Sequence, residues 1–156
     1  MFDSILSYFF PAIILSLMIS IIYFFFEKRK IIKNYTVSNS KYLKNISGLI
    51  ISDGGYLKKK IQICSFDLLI NDNTIFIFPK SFYVIPMRKI NLNFLNSDKK
   101  LTRSTIVLRE IKMNNQSVDL ISYPNYLQSK GRIIRLQNLT TEQISVFEEI
   151  KKNKNY

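Results

Sequence analysis

The sequence has no histidine and no tryptophan, one cysteine (Cys64) and one alanine (Ala12). Without histidine, zinc-histidine centres, Ser-His and Cys-His nucleophile pairs and histidine general bases all fall away together. A single cysteine permits no disulfide within the chain, and a reducing compartment suits it. Acidic residues are few, eleven against 23 Lys and Arg, and no two fall in a metal-binding or acid–base signature. Nor is there a glycine-rich phosphate loop. The expectation is a protein that is not an enzyme, with no cofactor and no metal.

What the chain does have is a long apolar run, Ile5 to Phe26, with no charged residue in it. As a helix rising about 1.5 Å per residue it is roughly 34 Å long, enough to cross a hydrocarbon core of about 30 Å. Pro11 lies near its start, where a lost backbone hydrogen bond matters least. Tyr8 and Tyr23 lie near its two ends, as interfacial aromatics do. A cleaved signal peptide would need basic residues before the run, and only Asp3 is there. Lys28, Arg29, Lys30 and Lys33 follow it. Basic flanks stay on the cytoplasmic side, so the run predicts a single-pass protein of the inner (plasma) membrane with its N-terminus outside. Ala12, Ser16 and Ser20 recur at four-residue spacing and put three small side chains on one stripe. A second helix can approach closely there and pair the chain into a homo-oligomer, although chance gives the same pattern.

The formal net charge is +12, and every Lys and Arg follows the apolar run. Anionic lipid, nucleic acid and acidic protein surfaces all match that sign. An AT-rich coding bias, visible in the wealth of Ile, Lys and Asn, also produces lysine. Tyr123 and Tyr126 flank Pro124, but no alternation of basic and aromatic residues accompanies them, so nucleic acid is not an expected partner.

The expected organisation is a short external N-terminus (1–4), a transmembrane helix (5–26), a basic juxtamembrane linker (27–45) and a β domain (46–156). Asn34, Thr36, Ser38, Asn39 and Ser40 favour loop in the linker. Beyond it, short apolar runs alternate with turn residues. Strands are predicted over Ile46–Ser52, Ile61–Ile70, Thr74–Phe78, Tyr83–Ile85, Lys89–Leu95, Thr105–Met113, Ser117–Ser122 and Arg132–Leu136. Ile61 and Ile63 alternate with Gln62 and Cys64. Thr74–Phe78 is apolar on both faces. Asn71-Asp72-Asn73 and Asn114-Asn115-Gln116 predict hairpin turns, and Asp53-Gly54-Gly55 a third turn. In these contexts Asp53 and Asp72 read as turn formers. Cys64 reads as a buried strand residue. Thr140 and Gln143 form a capping box, with Leu139 and Ile144 spaced for a hydrophobic staple. Ile144, Phe147 and Ile150 share one face, so 141–152 is predicted as an amphipathic helix.

The fold class is therefore a single transmembrane α-helix followed by a mainly-β domain, closed by a C-terminal amphipathic helix. The β domain holds about seven antiparallel strands in a barrel or sandwich. From Lys41 to Lys152 this layout resembles a pleckstrin-homology-like (PH-like) domain of the bacterial and GRAM type. An unrelated small β-sandwich or barrel with a terminal helix is the alternative. The resemblance implies that basic residues of the loop between the first two strands meet phosphate, which falls here on Lys58, Lys59 and Lys60. Gln62 stands where the family pattern continues with a basic residue, and Phe147 stands for the tryptophan usual in the closing helix.

Two functions remain in view. One is a cytoplasmic binding module held at the inner leaflet, contacting anionic lipid headgroups or a membrane protein partner through Lys28, Arg29, Lys30, Lys33, Lys58, Lys59 and Lys60. The other is a non-catalytic structural or assembly component acting through its transmembrane helix and the stripe Ala12, Ser16 and Ser20.

Overall fold

Strands with apolar side chains on both faces need two covers, and Thr74–Phe78 receives both. In the computed structural model, which describes residues 2–53, 59–94, 105–122 and 131–153 (backbone alone at 2–8, 105 and 153), Ile75 and Ile77 point into a β-barrel core. Phe76 and Phe78 point outward, beneath the N-terminal helix.

That helix, α1, runs from Phe2 to Tyr35 and passes through Pro11 without a break. The strands follow as β1 (Lys41–Asp53), β2 (Lys59–Ile70), β3 (Thr74–Ser81), β4 (Ile85–Pro86), β5 (Ile90–Asn93), β6 (Thr105–Asn114), β7 (Ser117–Ser122) and β8 (Arg132–Gln137). Helix α2 (Thr141–Asn153) ends the fold. The ladder β1-β2-β3-β5-β6-β7-β8 follows chain order, and β8 pairs back onto β1 to close the ring. The short β4 extends the ladder beside β3.

One pairing departs from the antiparallel expectation: β5 and β6 are parallel. Geometry requires it. A closed ring with an odd number of strands cannot alternate direction all the way round, so at least one neighbouring pair must run the same way.

The interior holds Ile50, Cys64, Phe66, Leu68, Ile75, Ile77, Leu92, Leu120, Ile134 and Leu136. Gly48 of β1 is set by its neighbours: a Cβ there would come within 2.0 Å of the Arg135 carbonyl oxygen of β8. Helix α2 stoppers one end of the barrel. Thr140 Oγ1 accepts from Gln143 N–H at 3.3 Å, and Gln143 Oε1 accepts from Thr140 N–H at 3.0 Å, so the capping box is made. Leu139 and Phe147 are buried in the core, with Ile144 and Ile150 packed against it.

Three boundaries differ from expectation. The linker predicted over 27–45 shrinks to 36–40, because α1 continues to Tyr35 and β1 begins at Lys41. Ile31 and Ile32, joined by Tyr35, gain cover against the barrel, and this burial overrides the loop preference of the polar residues around them. Strand β3 runs on through Pro79 to Ser81, and the Pro79 carbonyl accepts from Met87 N–H at 2.9 Å. Tyr83 and Val84, predicted in a strand, form a turn instead, leaving only Ile85 and Pro86 paired. The Asp53-Gly54-Gly55 turn beyond Asp53, Leu95, and the Tyr123–Tyr126 segment lie outside the described residues.

Candidate functional site: the cationic mouth of the barrel

The barrel has two unlike ends. One carries α2. At the other, β1 ends and β2 begins, β3 turns into β4, and β7 ends opposite the start of β8. Side chains alternate across a strand, so the positions that build the core deeper down also line this second end, the mouth. On β2 the inward row Phe66 and Cys64 continues to Gln62 and Lys60. Along β1, Ile50 is followed by Ser52, and on β8 Ile134 is preceded by Arg132. Register places Lys60 and Arg132 on either side of Ser52. Two cations thus occupy core-facing positions at the rim, where a closed barrel would carry apolar residues.

A cleft of about 880 Å³ opens there, lined by Ser52, Lys60, Gln62, Arg88, Lys89 and Arg132, with Ile50, Ile90 and Ile106 below them. Tyr23, Phe24 and Glu27 of α1 form one wall. Glu27, the acid on this wall, is paired with Lys89 at 3.1 Å. Among the described residues, the lining of the mouth is therefore cationic.

α1 lies along the outside of the barrel and points past this end. Ile31 and Ile32 cover Leu69, Phe76 and Phe78, and the Tyr35 ring lies 4.9 Å from that of Phe76. Asn71, in the β2–β3 turn, donates from Nδ2 to the Tyr35 carbonyl at 2.9 Å and satisfies the end of the helix. One stage nearer the mouth, Lys28 pairs with the buried Asp67 of β2. Lys80 reaches the same carboxylate at 3.1 Å, and the Asn45 N–H donates to it at 2.8 Å. Asn45 can do so because it occupies a bulge of β1 with φ of 53°. Burial pushes the Asp67 carboxyl up, but the hydrogen bonds from Lys28, Asn45 and Lys80 outweigh it and hold the group below the ordinary aspartate value. From Phe9 to Ser20 the helix is exposed throughout, and its 27-residue stretch Phe9–Tyr35 is long and apolar enough to cross a membrane.

The residues singled out in the sequence separate accordingly. Lys60 turns into the mouth, Lys59 is exposed beside it, and Lys58 lies outside the described residues. Lys28 is engaged with Asp67 and stacked 5.8 Å from the Phe78 ring centroid. Arg29 lies over the Phe25 ring at 4.5 Å, while Lys30 and Lys33 are exposed. Ala12, Ser16 and Ser20 form an exposed stripe. The Ser20 hydroxyl donates to the Ser16 carbonyl at 2.9 Å, a bond that satisfies it within its own helix. Cys64 is fully buried in the core, and burial pushes its thiol up, away from the reactive thiolate.

Arg88, Lys89 and Arg132 escape a reading based on charge runs, since only register brings them to Lys60. For Arg132 the signal is parity: like Lys60, it shares the alternation of the core residues that follow it in its strand, whereas Arg88 and Lys89 lie between β4 and β5 and have no such signal. No protein-family model matches the chain, and a search of curated proteins finds no match.

Proposed function

We propose that this is a single-pass membrane protein whose PH-like barrel binds anionic lipid headgroups at the inner leaflet. In this reading α1 crosses the bilayer with its N-terminus outside, and the barrel is cytoplasmic. The observation that carries it is the placement of the cationic mouth at the end of the barrel from which the apolar part of α1 departs. A bilayer crossed by Ile5–Phe26 faces that mouth. Anionic headgroups then meet Lys60, Arg88 and Arg132 at high effective concentration, without any search. Tyr23, on the wall of the cleft, falls at the depth where interfacial aromatics collect. The role is binding rather than catalysis.

Lipid retention tests this. Full-length protein in mild detergent is offered equal amounts of phosphatidylglycerol and phosphatidylcholine and weighed by native mass spectrometry. Preferential phosphatidylglycerol adducts are expected, lost in Lys60→Gln/Arg88→Gln/Arg132→Gln and weakened by salt. Equal adducts of the two lipids, or no change in the triple variant, would overturn the reading. A phosphatase fused after Tyr156 reports the side of the barrel, and strong activity would place it outside.

The exposed stripe Ala12, Ser16 and Ser20 favours a second reading, an assembly component acting through α1. Large residues at all three positions would then disrupt the complex while leaving lipid retention unchanged.

A further inference from the structure

The turn between β3 and β4 is built against the usual rules of turns. Phe82 and Tyr83 both have left-handed backbone, with φ of 48° and 64°, and the Val84 N–H closes the turn onto the Ser81 carbonyl at 3.2 Å. Two successive left-handed residues ordinarily recruit Asn-Gly, because a Cβ disfavours that region. Here two aromatic residues fill the positions. The side chains they present are not used by the barrel: Phe82 is 82% exposed and Val84 77%, and Tyr83 and Ile85 are exposed as well. Cys64 is opposite Ser81 in the ladder, so the outward-facing Ile63 and Ile61 of β2 continue the same surface, 64% and 63% exposed.

This apolar collar has a definite position. It is at the end away from α2, on the outside of the barrel, with the cations of the mouth inside it. β4 lies against α1, and Met87, Arg88 and Lys89, which follow β4, share the cleft with Tyr23, Phe24 and Glu27. The turn is thus level with the last turns of the apolar run. We infer that Phe82–Ile85 is an interfacial wedge that enters the headgroup–acyl boundary of the leaflet from which α1 emerges. This rests on the membrane reading of α1. The occupant is lipid because the collar continues the apolar surface of α1 at the same level, and the flanking Lys59, Lys60 and Arg88 are placed for headgroup phosphates. Insertion by about 5–10 Å is the usual depth of such interfacial apolar groups. It fixes the tilt of the barrel and presses its mouth to the headgroups.

The chain has no tryptophan, so an introduced one is a unique reporter. Full-length Val84→Trp is reconstituted into nanodiscs of phosphatidylcholine and phosphatidylglycerol, with lipids brominated near the headgroup or near the chain end. Ile14→Trp reports the span, and Asn115→Trp the end of the barrel bearing α2. If Val84→Trp does not fold, Tyr83→Trp replaces it. The expected result is blue-shifted emission at position 84, quenched most by the shallow bromines, with position 115 unquenched. Water-like, unquenched emission at 84 beside quenching at 14 would overturn the wedge and leave the span standing. Blue-shifted but unquenched emission at 84 would mean a protein covers the turn, and would overturn it too. Absence of quenching at both 14 and 84 would remove the membrane reading and the wedge together.

Discussion

The Lys28 ammonium of α1 and the Asp67 carboxylate of β2 close an ion pair across 39 residues of chain, at the seam between helix and barrel. Asp67 is buried, so its charge is tolerable only with its partners in place. Lys28→Met leaves Lys80 and the Asn45 N–H behind, and a loss of about 1–3 kcal/mol is expected for weakening such a buried set. Urea unfolding of the detergent-solubilised protein measures it. An unchanged midpoint would mean the pair contributes nothing.

The same group sets an acid limit. The folded value of Asp67 lies below its ordinary one, so its contribution is complete above the ordinary aspartate range, near pH 4, and is lost as pH falls through the folded value. Stability should therefore drop on acidification below about pH 4, and the drop should be smaller in Asp67→Asn. Parallel pH profiles of the two proteins would show it. Identical acid limbs would assign the loss to other carboxylates.

A soluble fragment should begin near Glu27, not near Lys41. Starting at Lys41 strips Ile31, Ile32 and Lys28 from the barrel and bares Leu69, Phe76 and Phe78. Each such side chain contributes about 1.5–3 kcal/mol when fully buried. Fragment 41–156 should melt well below fragment 27–156 and bind a hydrophobic dye. Equal melting temperatures would show that the helix is not part of the folded unit.

Gly48→Ala should be costly for its kind, since the added methyl meets a backbone oxygen and not a flexible side chain. Overpacking commonly costs about 1–3 kcal/mol, and this site belongs at or beyond the upper end. Thermal melting would check it, and a shift of less than a degree or two would mean β1 and β8 can separate freely.

Tyr83→Gly should move the other way. It removes a left-handed strain of roughly 1–2 kcal/mol, offset in part by the added freedom of the unfolded chain. A higher melting temperature in detergent, with weaker interfacial anchoring in nanodiscs, is expected. A lower melting temperature in detergent would mean the aromatic ring is used by the barrel itself.

Much of the fold was legible because its signals are local. The turns Asn71-Asp72-Asn73 and Asn114-Asn115-Gln116 and the Thr140–Gln143 box each depend on residues within a few positions, and each forms where the sequence puts it. The docking of α1 was missed because it is a contact between distant segments. Its traces were nonetheless present. A strand apolar on both faces, Thr74–Phe78, implied a second cover, and a lone Asp67 inside the apolar run from Cys64 to Ile70 implied a cation to meet it. The Phe82-Tyr83 turn carried no signal at all, because neither residue is one that turns recruit. On β2 the alternation was visible but its sense was not. Ile61 and Ile63 look like core residues, yet they face outward and Lys60 and Gln62 face in, and only the register of the whole ring decides between the two.

The odd count of strands leaves the barrel with one joint unlike the rest. Among the described residues, β5 and β6 meet over three residue pairs, Asn91–Thr105, Leu92–Ile106 and Asn93–Val107, in the slanted bonding of a parallel ladder. Every other junction in the ring is antiparallel, and each is longer among the described residues. Among the strands of the ring, amide protons along 91–93 and 105–107 should then exchange with solvent earliest, because the described ladder there holds the fewest pairs. The cylinder has a clasp, and Ile90 and Ile106, which floor the cationic cleft, are beside it.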